Sequence, residues 1–339
     1  MLAAVTTKYG PPNVLKLMEL SCPKPKPNEV VIQVRASSVT AADTLMRSGT
    51  PYFGRFFLGI LKPKKSVSGT GFAGKIEAIG SKVSAFKIGD SVFGETVFGF
   101  GSNAEFTCVP QDGLIMKMPE HLSFDAAATI CDGPLTSMNF LKRLVDIKAG
   151  QRVLINGASG SLGTAAVQLA KYYGAHVTGV CSLSNDSLVR SLGADQVIDY
   201  AKVDFTKTNL AWDIIYDTVG KSSFSMCKSA LTPNGIYLSP VLDGTLCSMF
   251  WTSMFGKKKA KFSATGVLPK AVLKQLLFEV RDMIKVGKLD IVIDRRYRLD
   301  RIVEAHQYVE GGHKKGNVVL EGYAPDQNHQ QCQIKLTKP

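Results

Sequence analysis

The sequence predicts an α/β protein of two domains, a β-rich one followed by a doubly wound parallel sheet. Three observations predict it. In Arg152 to Lys171, RVLINGASGSLGTAAVQLAK, a short apolar run meets a glycine turn, and apolar residues then recur at helical spacing. Downstream, helical and strand patterns alternate four or five more times, which only parallel strands joined by crossovers arrange economically. Upstream, the first 124 or so residues read as short strands broken by Gly and Pro.

In order, the strands of the first part are LAAVTT, VLKLMEL, VVIQVRASSV, FAGKIEAIG, DSVFGE and NAEFTCVP, and their frequent Gly and Pro predict a curled, barrel-like sheet. Phe124 to Thr129 and Leu135 to Leu144 read as helices, followed by the Arg152 strand, a helix to Tyr173 and a strand from His176 to Cys181. A helix is expected at Asn185 to Leu192, strands at Gln196 to Tyr200 and Trp212 to Asp217, a helix at Ser223 to Leu231 and a strand at Gly235 to Ser239. Pro269 to Lys288 is amphipathic, with Pro at its start and Gly287 near its end. Ile291 to Ile293, a helix over Leu299 to Val309 and a strand over Asn317 to Leu320 complete the order, and the tail from Tyr323 is polar.

The 339 residues exceed what one core usually fills. Seven scattered cysteines without a CxxC pair predict reduced thiols, and MLAAVTTKYGPP lacks a basic-then-apolar leader, so the cytoplasm is the expected location. The formal charge of +13 is spread along the chain, which predicts a solvated surface and no nucleic-acid partner. Two clusters stand out, Lys62-Pro63-Lys64-Lys65 and Lys257 to Lys261. The second follows the apolar segment Gly244 to Phe255, which is too short to span a bilayer as a helix.

The glycine turn carries the chemistry. A helix starting at such a turn leaves its first N–H groups unpaired and aimed, with the helix dipole, at an anion. A tight turn in any α/β domain would use glycine too, so the motif alone decides nothing.

The order of parts decides more. KYGPPNVLKL, VSGTGFAGKIEAIG, FKIGDSVFG, GASGSLG, SLGADQVIDY and HKKGNVVL together span nearly all of residues 1 to 321. This chain resembles the zinc-free quinone oxidoreductase branch of the medium-chain dehydrogenase/reductase superfamily. The resemblance implies a GroES-like catalytic domain from residues 1–124 and 267–339, a Rossmann nucleotide-binding domain from residues 125–266, a nicotinamide cofactor and a homodimer. The zinc-bearing relatives' ligand positions match Ala42 or Asp43, Thr70-Gly71 and Asp132 here, so the family's His and Cys are gone. Asp43, Cys131 and Asp132 are what an unusual site would have to use, and no zinc is expected. Without that Lewis acid, conjugated carbonyls replace alcohols as the expected substrates.

At the end of the second Rossmann strand, Val180 to Asn185 carries no acid before Asp186. A carboxylate there would hold a ribose 2′-hydroxyl and repel a 2′-phosphate, so NADPH is expected over NADH. Ser182 and Asn185 are placed to donate to the phosphate, and Tyr200 matches the family's phosphate-side tyrosine. By the same matching, Ser159, Gly160, Ser161 and Leu162 cradle the pyrophosphate. Thr218, Val219 and Gly220 lie under the ribose and nicotinamide, and Ser239, Pro240, Val241, Gly316 and Asn317 flank the nicotinamide, with Thr136 at its ribose. Ordinary strand-ending turns and packing would account for these residues as well.

The reaction implied is hydride transfer from NADPH to a quinone or α,β-unsaturated carbonyl. Tyr52, matching a pocket-lining tyrosine of the family, is the candidate proton donor, or else an exposed loop tyrosine. Thr40 stands where relatives often have Asn, Asp43 is placed to order that loop, and the five histidines are expected to be structural. The alternatives are an alcohol dehydrogenase, or a non-catalytic, crystallin-like NADPH binder with membrane-surface or RNA affinity through Lys257 to Lys261. Peripheral membrane contact there is the less favoured reading.

Overall fold

Alternating apolar residues need a covered face, and the first part of the chain supplies it by curling a sheet on itself. The computed structural model describes residues 1–64, 66–96, 101–241, 249, 252 and 256–322. The chain divides into two units, Met1–Cys131 with Ile293–Pro339, and Asp132–Val292.

In the first unit, β1 (Leu2–Thr6) and β2 (Leu15–Glu19) pair antiparallel. Next come β3 (Glu29–Val39), the helices α1 (Ala41–Ser48) and α2 (Arg55–Leu58), then β4 (Gly71–Ile79), β5 (Ser91–Glu95), β6 (Phe106–Pro110), β7 (Leu114–Lys117) and α3 (Phe124–Ala127). The long strand β3 organises the unit. One side pairs with β4 through two register shifts, while the other takes β6 at Glu29 to Gln33 and a C-terminal strand at Ser37 to Val39. Residues of β3 that alternate along the strand, Val30 and Ile32, pack with Phe72, Ile76, Val92, Val109 and Ile115 in one core, and Val31 packs with Phe106 in another.

In the second unit, α4 (Gly133–Met138) precedes β8 (Arg152–Asn156), α5 (Ser161–Tyr172), β9 (His176–Cys181), α6 (Asp186–Ser191), β10 (Gln196–Asp199), β11 (Trp212–Asp217), α7 (Phe224–Cys227), β12 (Leu231–Leu238), β13 (Lys259–Lys261) and α8 (Lys270–Lys285). The six strands form one parallel sheet in the order β10-β9-β8-β11-β12-β13. Leu273, Leu276, Leu277, Val280, Met283 and Ile284 are the buried face of α8. Each such side chain contributes roughly 1.5–3 kcal/mol. The chain then returns to the first unit as β14 (Ile293–Arg298), α9 (Ile302–Glu310) and β15 (Asn317–Glu321), with β15 antiparallel on β3, so C-terminal residues complete the first sheet.

Several elements differ from the sequence reading. The units part at Asp132 and Ile293 in place of 125 and 267, because α3 packs on β3 and β4 while α8 packs on α4. The helix expected over Leu135 to Leu144 is α4 followed by a π turn at Asn139–Leu144. The helix expected to reach Leu231 stops at Cys227, because buried Leu231 instead extends β12 opposite Trp212. The strand expected at Ile291 to Ile293 runs Ile293–Arg298, its arginines lying along the edge of the sheet. Cys108, Cys181 and Cys227 are free thiols, but Cys22 is disulfide-bonded, contrary to the expectation of reduced cysteines throughout. Among the described residues, no helix is long and apolar enough to cross a membrane.

Candidate functional site

The glycine turn joins β8 to α5. Gly157 has φ +81°, and a Cβ there would meet Val219 Cγ2 at 2.3 Å and Thr218 Oγ1 at 2.7 Å. A Cβ on Gly163 would stand 2.1 Å from the Gly157 carbonyl oxygen. These glycines therefore allow two close approaches, strand turn to strand turn and turn to helix. Gly160 is different. Its Cβ would meet nothing nearer than the Gly157 oxygen at 3.5 Å, so its absence leaves open space at the start of α5. The Gly160 carbonyl accepts the N–H of Thr164 at 2.9 Å, and the N–H groups of the first helical turn have no acceptor within the helix.

Side chains around the turn are tied down. Ser161 Oγ donates to Asp132 Oδ2 at 2.6 Å, Ser137 Oγ donates to the Leu162 carbonyl at 2.9 Å, and Asn185 Nδ2 donates to Ser159 Oγ at 3.0 Å. Ser159 and Ser161 can thus offer an anion only what those bonds leave. Asn185 is 7% exposed, and its Oδ1 is buried without a hydrogen-bond partner. Ser182 Oγ lies 3.0 Å from Ser184 Oγ, and Tyr200, 56% exposed, donates its N–H to the Cys181 carbonyl. Burial pushes the Cys181 thiol up to about 11, with Asp186 and Asp199 acting in the same direction, so it is not a nucleophile.

Beside the turn, the ends of β11 and β12 are ordered by a residue that sequence reasoning missed. Asp217 is fully buried; its Oδ1 accepts Asn156 Nδ2 at 2.9 Å and the N–H groups of Val219 and Gly220 at 3.2 and 3.1 Å. Its Oδ2 accepts the Ser222 N–H at 2.9 Å and the Tyr237 hydroxyl at 3.0 Å. Thr218 Oγ1 donates to the Asn156 carbonyl at 2.7 Å, and a Cβ on Gly220 would touch Val241 at 2.6 Å. Ser239 Oγ accepts the Val241 N–H at 3.2 Å, closing the Ser239-Pro240-Val241 turn. All these turns leave the C-terminal ends of parallel strands, where open α/β sheets bind ligands. Thr136 sits on α4, whose start Gly133 approaches the Ser161 carbonyl. A cavity of about 280 Å³ at the opposite ends of the strands, lined by Arg152, His176, Thr178 and Trp212 among others, lies away from every one of these turns.

The remaining candidates belong to the first unit. Tyr52, in a short turn before α2, is 71% exposed, and the Arg55 guanidinium lies 4.7 Å from its ring centre. Gly316, with φ +79°, precedes Asn317, which is buried at the start of β15. Asp43 orders the start of α1, whereas the loop that carries Tyr52 is tied by Arg55, whose Nε donates to the Gly49 carbonyl at 2.9 Å. Asp43 forms a capping box with Thr40, taking the Thr40 N–H and hydroxyl on Oδ2 at 2.9 and 2.8 Å, so both side chains serve the start of α1. Thr70 presents its carbonyl to Thr96, and Asp132 holds Ser161. Among the described residues, His, Cys, Asp and Glu nowhere gather in threes as a metal ion would need.

The basic run is not a free patch. Lys258 Nζ donates to the Lys228 carbonyl at 2.6 Å, Lys261 Nζ to that of Leu144 at 2.9 Å, and Lys259 Nζ to that of Thr252. Lys259 to Lys261 is strand β13, parallel to β12. Most of the apolar segment before it, Phe250 and Trp251 included, lies outside the described residues.

Residues 26–120 match the alcohol dehydrogenase GroES-like domain and residues 192–320 the zinc-binding dehydrogenase family. The chloroplastic quinone-oxidoreductase homolog of Spinacia oleracea is 30% identical over 321 residues, covering 92% of this chain and 95% of that protein. The chain belongs to the quinone oxidoreductase-like branch of the medium-chain dehydrogenase/reductase superfamily. A trans-enoyl reductase of Aspergillus terreus is likewise 30% identical, over 87% of this chain and 86% of its own. The solved quinone oxidoreductase of Coxiella burnetii superposes with a TM-score of 0.85 at 29% identity, over 95% of this chain and 99% of that one. In this quinone oxidoreductase-like chain the first unit is therefore the GroES-like domain and the second the Rossmann-type sheet. The residues present fit a dinucleotide: Gly160 leaves the space a Cβ would fill, and Asn185, its Nδ2 engaged on Ser159 Oγ, keeps at the neighbouring strand end a buried Oδ1 able to accept from a hydroxyl such as a ribose carries.

Proposed function

We propose that the protein reduces quinones or α,β-unsaturated carbonyls with NADPH, by direct hydride transfer and without zinc. The observation that carries this is the Gly157 to Gly163 cradle beside a second strand end, Ser182 to Asn185, that bears no carboxylate. Relatives bearing quinone oxidoreductase and trans-enoyl reductase names support the same pair of substrate classes. When bound, NADPH supplies the hydride from its nicotinamide C4.

The chain's own residues bind and orient. The first N–H groups of α5 meet the pyrophosphate, helped by the helix dipole. Ser182 and Tyr200 take the 2′-phosphate end, and Asn185, through Oδ1, accepts from the adjoining ribose. The turn Thr218 to Gly220, held by Asp217, and the turn Ser239 to Val241 seat the ribose and nicotinamide, with Thr136 completing the contacts of this unit. Tyr52 Oη is the proton donor for an enone. A homodimer in the cytoplasm completes the reading. Binding of RNA or membrane through Lys257 to Lys261 is disfavoured, because three of its ammonium groups are engaged on backbone carbonyls.

Stopped-flow NADPH oxidation with 1,4-benzoquinones, 9,10-phenanthrenequinone, 2-alkenals and simple alcohols, with and without a chelator, tests the proposal. Turnover of quinones or enals that is indifferent to chelator is expected. Alcohol oxidation lost on chelation overturns the zinc-free reading, and silence with every carbonyl overturns the reductase reading.

A further inference from the structure

We infer that the turn from Gly59 to Lys64, with the face of α2 before it, is a docking element for an anionic lipid bilayer surface. Leu61 is 90% exposed, Phe56 72% and Ile60 65%, so three large apolar side chains close together in sequence face water. A scattered exposed leucine needs no explanation, but a cluster of this kind does. Phe56 lies on α2, and Ile60 and Leu61 follow at the tip.

The tip is built, not loose. Gly59 has φ +126°, and a Cβ there would lie 2.1 Å from the Lys62 carbonyl oxygen, so only glycine makes this bend. The Lys64 N–H closes it on the Leu58 carbonyl at 2.8 Å, and the Tyr9 hydroxyl holds the Gly59 carbonyl at 2.6 Å. Arg55, lying 4.4 Å from the Tyr9 ring centre, donates Nε–H to the Gly49 carbonyl at 2.9 Å. Leu58 and Pro63 line a small pocket with Met46 and Val67, whereas Ile60 and Leu61 are exposed.

Charge selects the occupant. Between Asp43 and Glu77 the sequence has no acidic residue, while Arg47, Arg55, Lys62, Lys64, Lys65 and Lys75 fall in that interval. Lys62 and Lys64 are exposed directly beside the aliphatic tip. Aliphatic side chains that protrude, flanked by lysines, suit acyl chains below and anionic headgroups around them. Base stacking would need aromatic faces at the tip, where Ile60 and Leu61 stand.

Co-sedimentation of the full chain with phosphatidylcholine vesicles and with vesicles of phosphatidylcholine and phosphatidylserine tests this, independently of the cofactor reading because it needs no NADPH. Binding only to the phosphatidylserine vesicles is expected, weakened by salt and reduced roughly tenfold or more in the double variant Ile60→Ser with Leu61→Ser and in Lys62→Glu with Lys64→Glu. Both variants should keep the parent's thermal midpoint, since the side chains are exposed. Absence of parent binding, binding that both variants retain, or equal binding to neutral vesicles overturns the inference. A dimer in sedimentation velocity that the Ile60→Ser, Leu61→Ser variant loses would overturn it in favour of a second copy of this chain.

Discussion

The Asn156 side-chain amide donates to Asp217 Oδ1 at 2.9 Å, joining the ends of two neighbouring parallel strands. That side chain also holds the turn proposed to lie under the nicotinamide, so one buried acceptor group fixes where a loop stands. Replacing Asp217 by Ala leaves Asn156, Tyr237 and the N–H groups of Val219, Gly220 and Ser222 without their acceptor. A loss of about 3–5 kcal/mol in urea unfolding is expected, with weaker NADPH binding by fluorescence titration. Asp217→Asn keeps one acceptor oxygen and should lose about 1–3 kcal/mol.

Three glycines of one turn separate folding from binding. Gly157→Ala and Gly163→Ala force contacts of 2.3 and 2.1 Å and should lower the thermal midpoint. Gly160→Ala meets nothing within 3.5 Å and should leave the midpoint in place while raising the NADPH Kd by roughly tenfold or more, measured by calorimetry. Unchanged affinity in Gly160→Ala would place the pyrophosphate elsewhere.

The end of β9 sets the cofactor choice. A carboxylate introduced by Ser182→Asp repels a 2′-phosphate and accepts from a ribose hydroxyl. The ratio of kcat/KM for NADPH to that for NADH should fall by roughly tenfold or more; a constant ratio would remove this strand end from cofactor selection.

His306 gives an acid limb to stability. It is fully buried, neither ring nitrogen has a hydrogen-bond partner, and burial, with Arg47 nearby, lowers it from 6.5 to about 3. Between those values the unfolded chain binds a proton that the folded chain refuses. The neutral ring's contribution is thus complete above pH 6.5 and is lost as pH falls toward 3, by at most about 1.4 kcal/mol per pH unit. Urea unfolding across this range should show that slope in the parent and a shallower one in His306→Leu.

The parallel sheet was legible because each strand is a short apolar run between helical patterns, and the glycine turn because few other residues tolerate its close approaches. β13 was not, since a three-residue strand of Lys-Ala-Lys resembles any basic surface segment until β12 lies beside it. Asp217 could not be singled out either. A lone Asp ending a strand looks the same whether solvent or several donors surround it, although the Asn ending the adjacent strand was a signal in reach. The bond from Ser161 to Asp132 joins residues 29 apart in sequence, a distance that no local pattern encodes.

The four lysines at 257, 258, 259 and 261 are one run in sequence but not one chemical population. Lys257 is exposed, whereas each of the other three would first have to release a backbone carbonyl before its amine could attack an acylating reagent. Surface labelling, enzymatic acetylation and crosslinking of this segment will therefore concentrate on its first lysine, and modification of the last three would come at the expense of the links that tie the sheet's edge to its surroundings.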